Sequence, residues 1–137
     1  MGTDEVVAWL EEVEKIDTLI KGKEDKISEI MDLATKITAS IDGMPRGGGG
    51  ISDKVGDNAL KLAVLSKEKE DLEKQKNYII KTLQKLPVNE FKVLYREYVL
   101  YMNQKEIAVD LHYTRFTIRR IKQKALKSLG EILKVAT

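Results

Sequence analysis

Apolar residues recur at spacings of three and four from Val6 through Trp9, Val13, Ile16, Ile20, Ile27, Ile30, Ala34 and Ile37 to Ile41, with only Lys23 interrupting the stripe. A rhythm sustained over that length is a coiled-coil seam, because alternating three- and four-residue steps keep one narrow stripe turned toward a partner helix. Unbroken, a helix over residues 4–41 reaches ~57 Å at 1.5 Å per residue. Thr3 or Asp4 is the expected cap at its start. Gly22, within IKGKEDK, is where a local break could fall, at a cost of about 1 kcal/mol against alanine. A second seam follows through Val55, Asn58, Leu62, Leu65, Leu72, Ile79, Leu83 and Leu86, interrupted at Lys69 and Lys76 and stopped by Pro87.

Between the two seams lies DGMPRGGGG, Asp42 to Gly50. Four consecutive glycines have neither stiffness nor side chains to pack, so this stretch reads as a hairpin tip. A phosphate loop would need Lys-Ser or Lys-Thr after the glycines, and Ile51-Ser52 follows instead. The predicted first architecture is therefore a long antiparallel coiled-coil hairpin over residues 1–86, with a tip loop at 42–57. A register that pairs positions totalling 99 places Ile16 beside Leu83, Ile20 beside Ile79, Ile27 beside Leu72 and Ile37 beside Leu62, and sets Lys23 against Lys76. Val7, Leu10, Leu19, Met31, Leu33, Leu60, Val64 and Ile80 lie off the seam. They form a second apolar face, which either packs against the rest of the chain or joins two copies into a homodimer or small homo-oligomer.

Charge divides the chain at the same place. Residues 1–86 hold 14 Lys/Arg against 17 Asp/Glu, and residues 87–137 hold 10 against 5. Within the basic part, His112 to Lys127 carries Arg115, Arg119, Arg120, Lys122, Lys124 and Lys127 and no acid. Such a concentration is an electrostatic footprint for a polyanion. The absence of cysteine excludes disulfides and thiolate metal sites, and one histidine cannot build an imidazole cluster. No nucleophile–base pair or metal-ligand spacing stands out, so neither enzymatic activity nor a cofactor is expected. No apolar run approaches the ~20 residues of a membrane span, and no signal peptide opens the chain. The expected location is the cytoplasm, without a membrane partner.

Apolar spacing in the basic part describes three helices. VNEFKVLYREYVLYM presents Phe91, Leu94, Tyr95 and Tyr98, flanked by Val93 and Val99; Tyr95, Tyr98 and Tyr101 read as core or rim. Asn103 is placed to cap QKEIAVDL, whose Ile107, Ala108 and Leu111 face inward. HYT then turns the chain, with His112 where a left-handed residue is needed and Thr114 as the next cap. Ile118, Ile121, Ala125, Leu126 and Leu129 make one buried stripe on the last helix. Two short helices around a three-residue turn meet the needs of a helix-turn-helix, and Ala108 is small enough for close approach.

The opposite face of the last helix carries Arg115, Phe116, Thr117, Arg119, Arg120 and Gln123. In a helix-turn-helix this segment enters the major groove. There Arg bonds guanine, Gln bonds adenine, and Thr or Phe touches the thymine methyl. Lys122, Lys124 and Lys127 are assigned to phosphates. The competing reading is a solvated basic face.

LPVNEFKVLYREYVLYMNQKEIAVDLHYTRFTIRRIKQKALKSL, Leu86 to Leu129, resembles region 4 of bacterial sigma factors. The resemblance runs through Leu86-Pro87, Val93-Leu94, Tyr98, Glu106-Ile107-Ala108, Leu111, Thr114, Ile118 and Ala125-Leu126. With SDKVGDNALKLAVL, Ser52 to Leu65, ahead of it, the chain over roughly residues 51–130 is similar to ArpU/RinA-type regulators of phages and prophages in Gram-positive bacteria. That resemblance implies control of late phage genes through promoter-proximal double-stranded DNA. It places base or nearby backbone contacts on Arg115, Phe116, Thr117, Arg119, Arg120 and Gln123, and phosphate contacts on Gln104 and Lys105, with RNA polymerase a further candidate partner. The chain departs from the pattern at His112, where glycine is usual, and at Phe116, where a polar residue is usual. It shows no equivalent of region 2, so a complete sigma factor is not expected.

The sequence thus predicts an all-α protein: a coiled-coil hairpin over 1–86 and a helix-turn-helix domain over 87–137 reading DNA with Thr114–Lys127. A small-terminase-like packaging component and a coiled-coil interaction protein that binds no DNA are the competing functions.

Overall fold

A computed structural model describes the backbone of residues 2–42 and 49–136, and the side chains of residues 2–33, 35 and 56–135. Five helices follow one another: α1 (Thr3–Asp42), α2 (Gly49–Leu83), α3 (Val88–Tyr98), α4 (Gln104–Leu111) and α5 (Arg115–Ala136). No strand occurs among the described residues. The all-α class and the helical hairpin followed by a C-terminal helix-turn-helix are as the periodicity predicts.

Several local expectations need correction. Thr3 and Asp4 already lie inside α1, and the Gly2 carbonyl accepts from the Glu5 and Val6 amides at 3.1 Å each. Asp4 and Glu5 instead place negative charge in the first turn, where the helix dipole favours it. Gly22 does not break α1. A single exposed glycine costs about 1 kcal/mol against alanine, too little to interrupt a helix held along its length by a packed face. The expected tip loop at 42–57 is shorter, since α2 begins at Gly49 and includes residues 49–57. Glycine is tolerated at a helix start, where no side chain has to pack. The remainder of the tip, residues 43–48, lies outside the described residues, as do the side chains of Ala34, Ile37, Ile41 and Val55 on the two seams.

Two compact units emerge. One comprises residues 1–16 and 75–137, the other residues 17–74. The expected boundary between Leu86 and Pro87 falls inside the first unit, which recruits the start of α1 and the end of α2.

In the first unit the seam residues Val6, Val13, Ile16, Ile79, Leu83 and Leu86 are buried, and so is Leu10 from the off-seam face. α2 stops at Leu83; the Lys85 and Leu86 amides close the end onto the carbonyls of Thr82 (3.1 Å) and Leu83 (3.0 Å). Pro87 disfavours helical backbone at the residue before it and then stands at the cap position of α3. Val93, Leu94, Ile107, Ile118, Ala125 and Leu129 are inaccessible to solvent. Val93, expected at the flank of α3, belongs to the core cluster with Ile107, Ala108 and Ile118, with Met102, Leu111 and Ile121 packed around it. Phe91, Tyr95 and Tyr98 are only half-buried. The centre shifts toward Val93 because α4 and α5 both pack on α3, covering a wider arc than one amphipathic face.

In the second unit Ile20, Ile27, Ile30, Leu62, Leu65 and Leu72 are half-buried. Lys23 pairs with Glu68, and Lys69 with Glu24 at 3.2 Å. Those positions total 91 and 93 rather than 99, so the register sits about one heptad from the expected one. A heptad slip leaves the apolar stripes facing each other and sets Lys23 opposite Lys69 in place of Lys76, with each lysine turned to the acid beside the other, Glu68 and Glu24. Leu19, Met31, Leu33, Leu60 and Val64, all off the seam, are exposed here.

Candidate nucleic-acid interface

The turn between α4 and α5 is built from local hydrogen bonds. Asn103 opens α4 with a reciprocal capping box: its side chain accepts from the Glu106 amide at 2.8 Å, and its own amide donates to the Glu106 carboxylate at 3.1 Å. That arrangement satisfies two amides that the first helical turn would leave without acceptors. His112 ends α4 in the left-handed region, at φ 60° and ψ 39°, as its place in the turn predicts. The Tyr113 amide then reaches back to the Ala108 carbonyl at 3.0 Å. Thr114 caps α5, its hydroxyl accepting from the Thr117 amide at 3.1 Å and lying 3.0 Å from the Thr117 hydroxyl.

These caps set where α5 begins, and its apolar periodicity then sorts its side chains. Ile118, Ala125, Leu126, Leu129 and Leu133 are buried. Arg115, Phe116, Arg119, Arg120, Gln123, Lys124 and Lys127 are exposed, and Thr117 is half-buried. Phe116, Arg120, Gln123 and Lys127 lie along the side of α5 opposite the core stripe, at helical spacings of four, three and four. The Arg120 guanidinium stands 5.8 Å from the centre of the Phe116 ring. On α4, Lys105 is exposed and Gln104 half-buried.

Lys122, assigned to phosphates from the sequence, is half-buried and turned toward α3. Its ammonium bonds Glu97 on α3 at 2.9 Å and stands 5.6 Å from the centre of the Tyr98 ring. Burial works against its charge, but Glu97 and Tyr98 more than offset this and hold the lysine above its ordinary range. Burial, reinforced by Glu97, pushes the Tyr98 phenol upward, with Lys122 opposing. The second carboxylate oxygen of Glu97 is buried without a hydrogen-bond partner among the described residues. A lysine engaged in this way ties α5 to α3 rather than projecting from the basic face.

Two further ties were not legible in the sequence. Arg96 on α3 bonds Asp110 on α4 at 2.6 Å, and its guanidinium also reaches the Lys92 carbonyl at 3.2 Å. Ser128 on α5 donates to the nearly inaccessible Glu90 on α3 at 3.3 Å. Each tie joins two different helices, which lies beyond what the periodicity of one helix can reveal.

Three helices, a left-handed turn residue and a capped final helix with a cationic outer face define a helix-turn-helix of the DNA-binding regulatory class. The family model described as Sigma-70, region 4 matches residues 82–131. The C-terminal part of the chain is thus a sigma region 4-like helix-turn-helix, covering the resemblance drawn over Leu86–Leu129. No curated protein and no solved structure matches the chain. No helix among the described residues is long and apolar enough to cross a membrane.

Proposed function

We propose that this chain is a sequence-specific transcription regulator that reads the major groove of double-stranded DNA with the start of α5. The observation that carries this reading is the exposed cationic face of a capped α5 within a sigma region 4-like module. Arg115, Phe116, Thr117, Arg119, Arg120 and Gln123 are assigned to bases or nearby backbone, and Thr114, Gln104, Lys105, Lys124 and Lys127 to backbone contacts. Lys122 is left out of that set and given a positioning role. The resemblance over roughly residues 51–130 supports an ArpU/RinA-type regulator of phage or prophage late genes. Exposed Leu60 and Val64 on α2 support homodimerisation through residues 17–74. A dimer would set two readers on half-sites about one helical turn apart. RNA polymerase is a further partner of this reading.

The test is binding across a salt series, with DNA from upstream of the gene's neighbourhood against scrambled DNA. Specific binding with a steep salt slope is expected. Replacing Arg119 and Arg120 by Ala should weaken binding and reduce the slope by about one for each phosphate that the variant no longer neutralises. An unchanged affinity and slope in that variant would refute the assignment of α5.

A further inference from the structure

The cationic face of α5 contains one feature that charge does not explain. Of the exposed side chains over residues 115–127, all of them described, Phe116 alone is apolar. It keeps 67% of its surface open even with the Arg120 guanidinium beside its ring. An aromatic ring left in water at that level contributes little to the core, where Ile118, two residues on, is fully enclosed. Its position is the second residue of the helix, at the end that contacts base edges in the groove.

The major groove offers one apolar target on its floor, the C5 methyl of thymine, and the corresponding position of cytosine is bare. Thr114 and Thr117 are the other residues near the helix start with a methyl to offer. Their hydroxyls lie against each other, that of Thr114 accepts the Thr117 amide as the cap, and Thr117 is half-buried, so both side chains are held to the helix start. Arg115, Arg119, Arg120 and Gln123 carry polar heads suited to purine edges. We infer that Phe116 is the specificity-determining residue for a thymine, packing its ring on the 5-methyl group, with Arg120 restricting the ring's orientation. This rests on the proposed reading of α5 as the groove-facing helix and names the base that its apolar position selects. A polar residue there would read a base edge; the phenylalanine substitutes methyl recognition.

The experiment selects preferred duplexes from a random pool with the full-length protein, then remakes them with deoxyuridine replacing thymidine at one position at a time. Removing the methyl at a single position should weaken wild-type binding about fourfold, the equivalent of burying one methylene fewer. Phe116→Ala should bind dT and dU duplexes equally at that position. Phe116→Glu should shift the preference there from thymine to cytosine, whose amino group a carboxylate accepts. Because Phe116 is exposed, both variants should retain the wild-type melting temperature, which circular dichroism checks. Wild-type protein that keeps its sequence preference but shows no dU penalty anywhere would overturn the thymine assignment while leaving the regulator reading intact. A penalty that persists in Phe116→Ala would assign the methyl contact to another residue and equally overturn it. Wild-type protein that selects no sequence at all would remove the regulator reading, and this inference with it.

Discussion

Lys122 belongs by sequence to the basic cluster and by contact to the interior. Its ammonium, the Glu97 carboxylate and the Tyr98 phenol form one partly buried group whose members sit on α3 and α5. Because the folded-state pKa of Lys122 lies above 10.5, the pair stabilises the fold fully below that pH and ceases to do so as pH rises through the raised value. Tyr98 acts in the same direction from its ordinary 10.0, since burial favours the neutral phenol. Thermal stability should therefore fall in alkaline solution above about pH 10, and Lys122→Gln should show a shallower fall, by melting curves taken over that range. At neutral pH the same variant should lose about 1.5–3 kcal/mol, the usual worth of a hydrogen bond to a charged group. Its DNA affinity should hardly change, whereas Lys124→Ala and Lys127→Ala should each weaken binding. A Lys122 variant that flattened the salt slope while keeping its stability would restore the lysine to the phosphate contacts.

At the level of the element, α4 shows how eight residues are held as a helix. Its length is below what an isolated peptide sustains in water, so caps and packing supply what propagation cannot. Asn103→Ala removes the capping box and should cost about 1 kcal/mol by denaturant unfolding. The other end carries strain of the opposite kind. A β-carbon in left-handed backbone is unfavourable by roughly 1–2 kcal/mol, so His112→Gly should offset part of that strain and raise the unfolding midpoint. The exposed imidazole makes the substitution harmless to the core. A drop in stability on introducing glycine would mean that the histidine side chain, rather than the backbone geometry, is what the turn requires.

For the whole molecule, the unit that carries the helix-turn-helix draws on three stretches of chain, residues 1–16, the end of α2, and everything after it. Val6, Leu10 and Val13 are fully buried, so trimming the first 16 residues should destabilise the reader even though they lie far from it in sequence. Deleting residues 1–16 should reduce the protection of the Ile107 and Ile118 amides in hydrogen exchange; unchanged protection would show the α3–α5 portion to be self-sufficient. Residues 17–74 behave differently. Leu19, Met31, Leu33, Leu60 and Val64 stay open there, the seam residues are only half-buried, and ion pairs such as Lys69–Glu24 flank them. Under the dimer proposal, Leu60→Asp with Val64→Asp should yield a monomer in sedimentation equilibrium, with lower affinity for a two-half-site duplex and unchanged affinity for a single half-site.

Helix placement was written in local signals: seams at three- and four-residue steps, Pro87 ahead of α3, Asn103 and Thr114 as caps, and a left-handed His112 between two helical patterns. Each depends on residues within a turn or two of one another, so the sequence suffices to state it. The cationic outer face of α5 was legible for the same reason, since a buried stripe determines its own opposite side. What tertiary structure decided concerns partners distant along the chain. A heptad slip is invisible to periodicity because it preserves the apolar match, and the Lys23–Glu68 and Lys69–Glu24 pairs distinguish the registers. Val93 became central because two helices converge on it, and Lys122 left the basic face because Glu97 stands opposite it on α3. Periodicity describes which way a residue points along its own helix; only packing determines what it meets there.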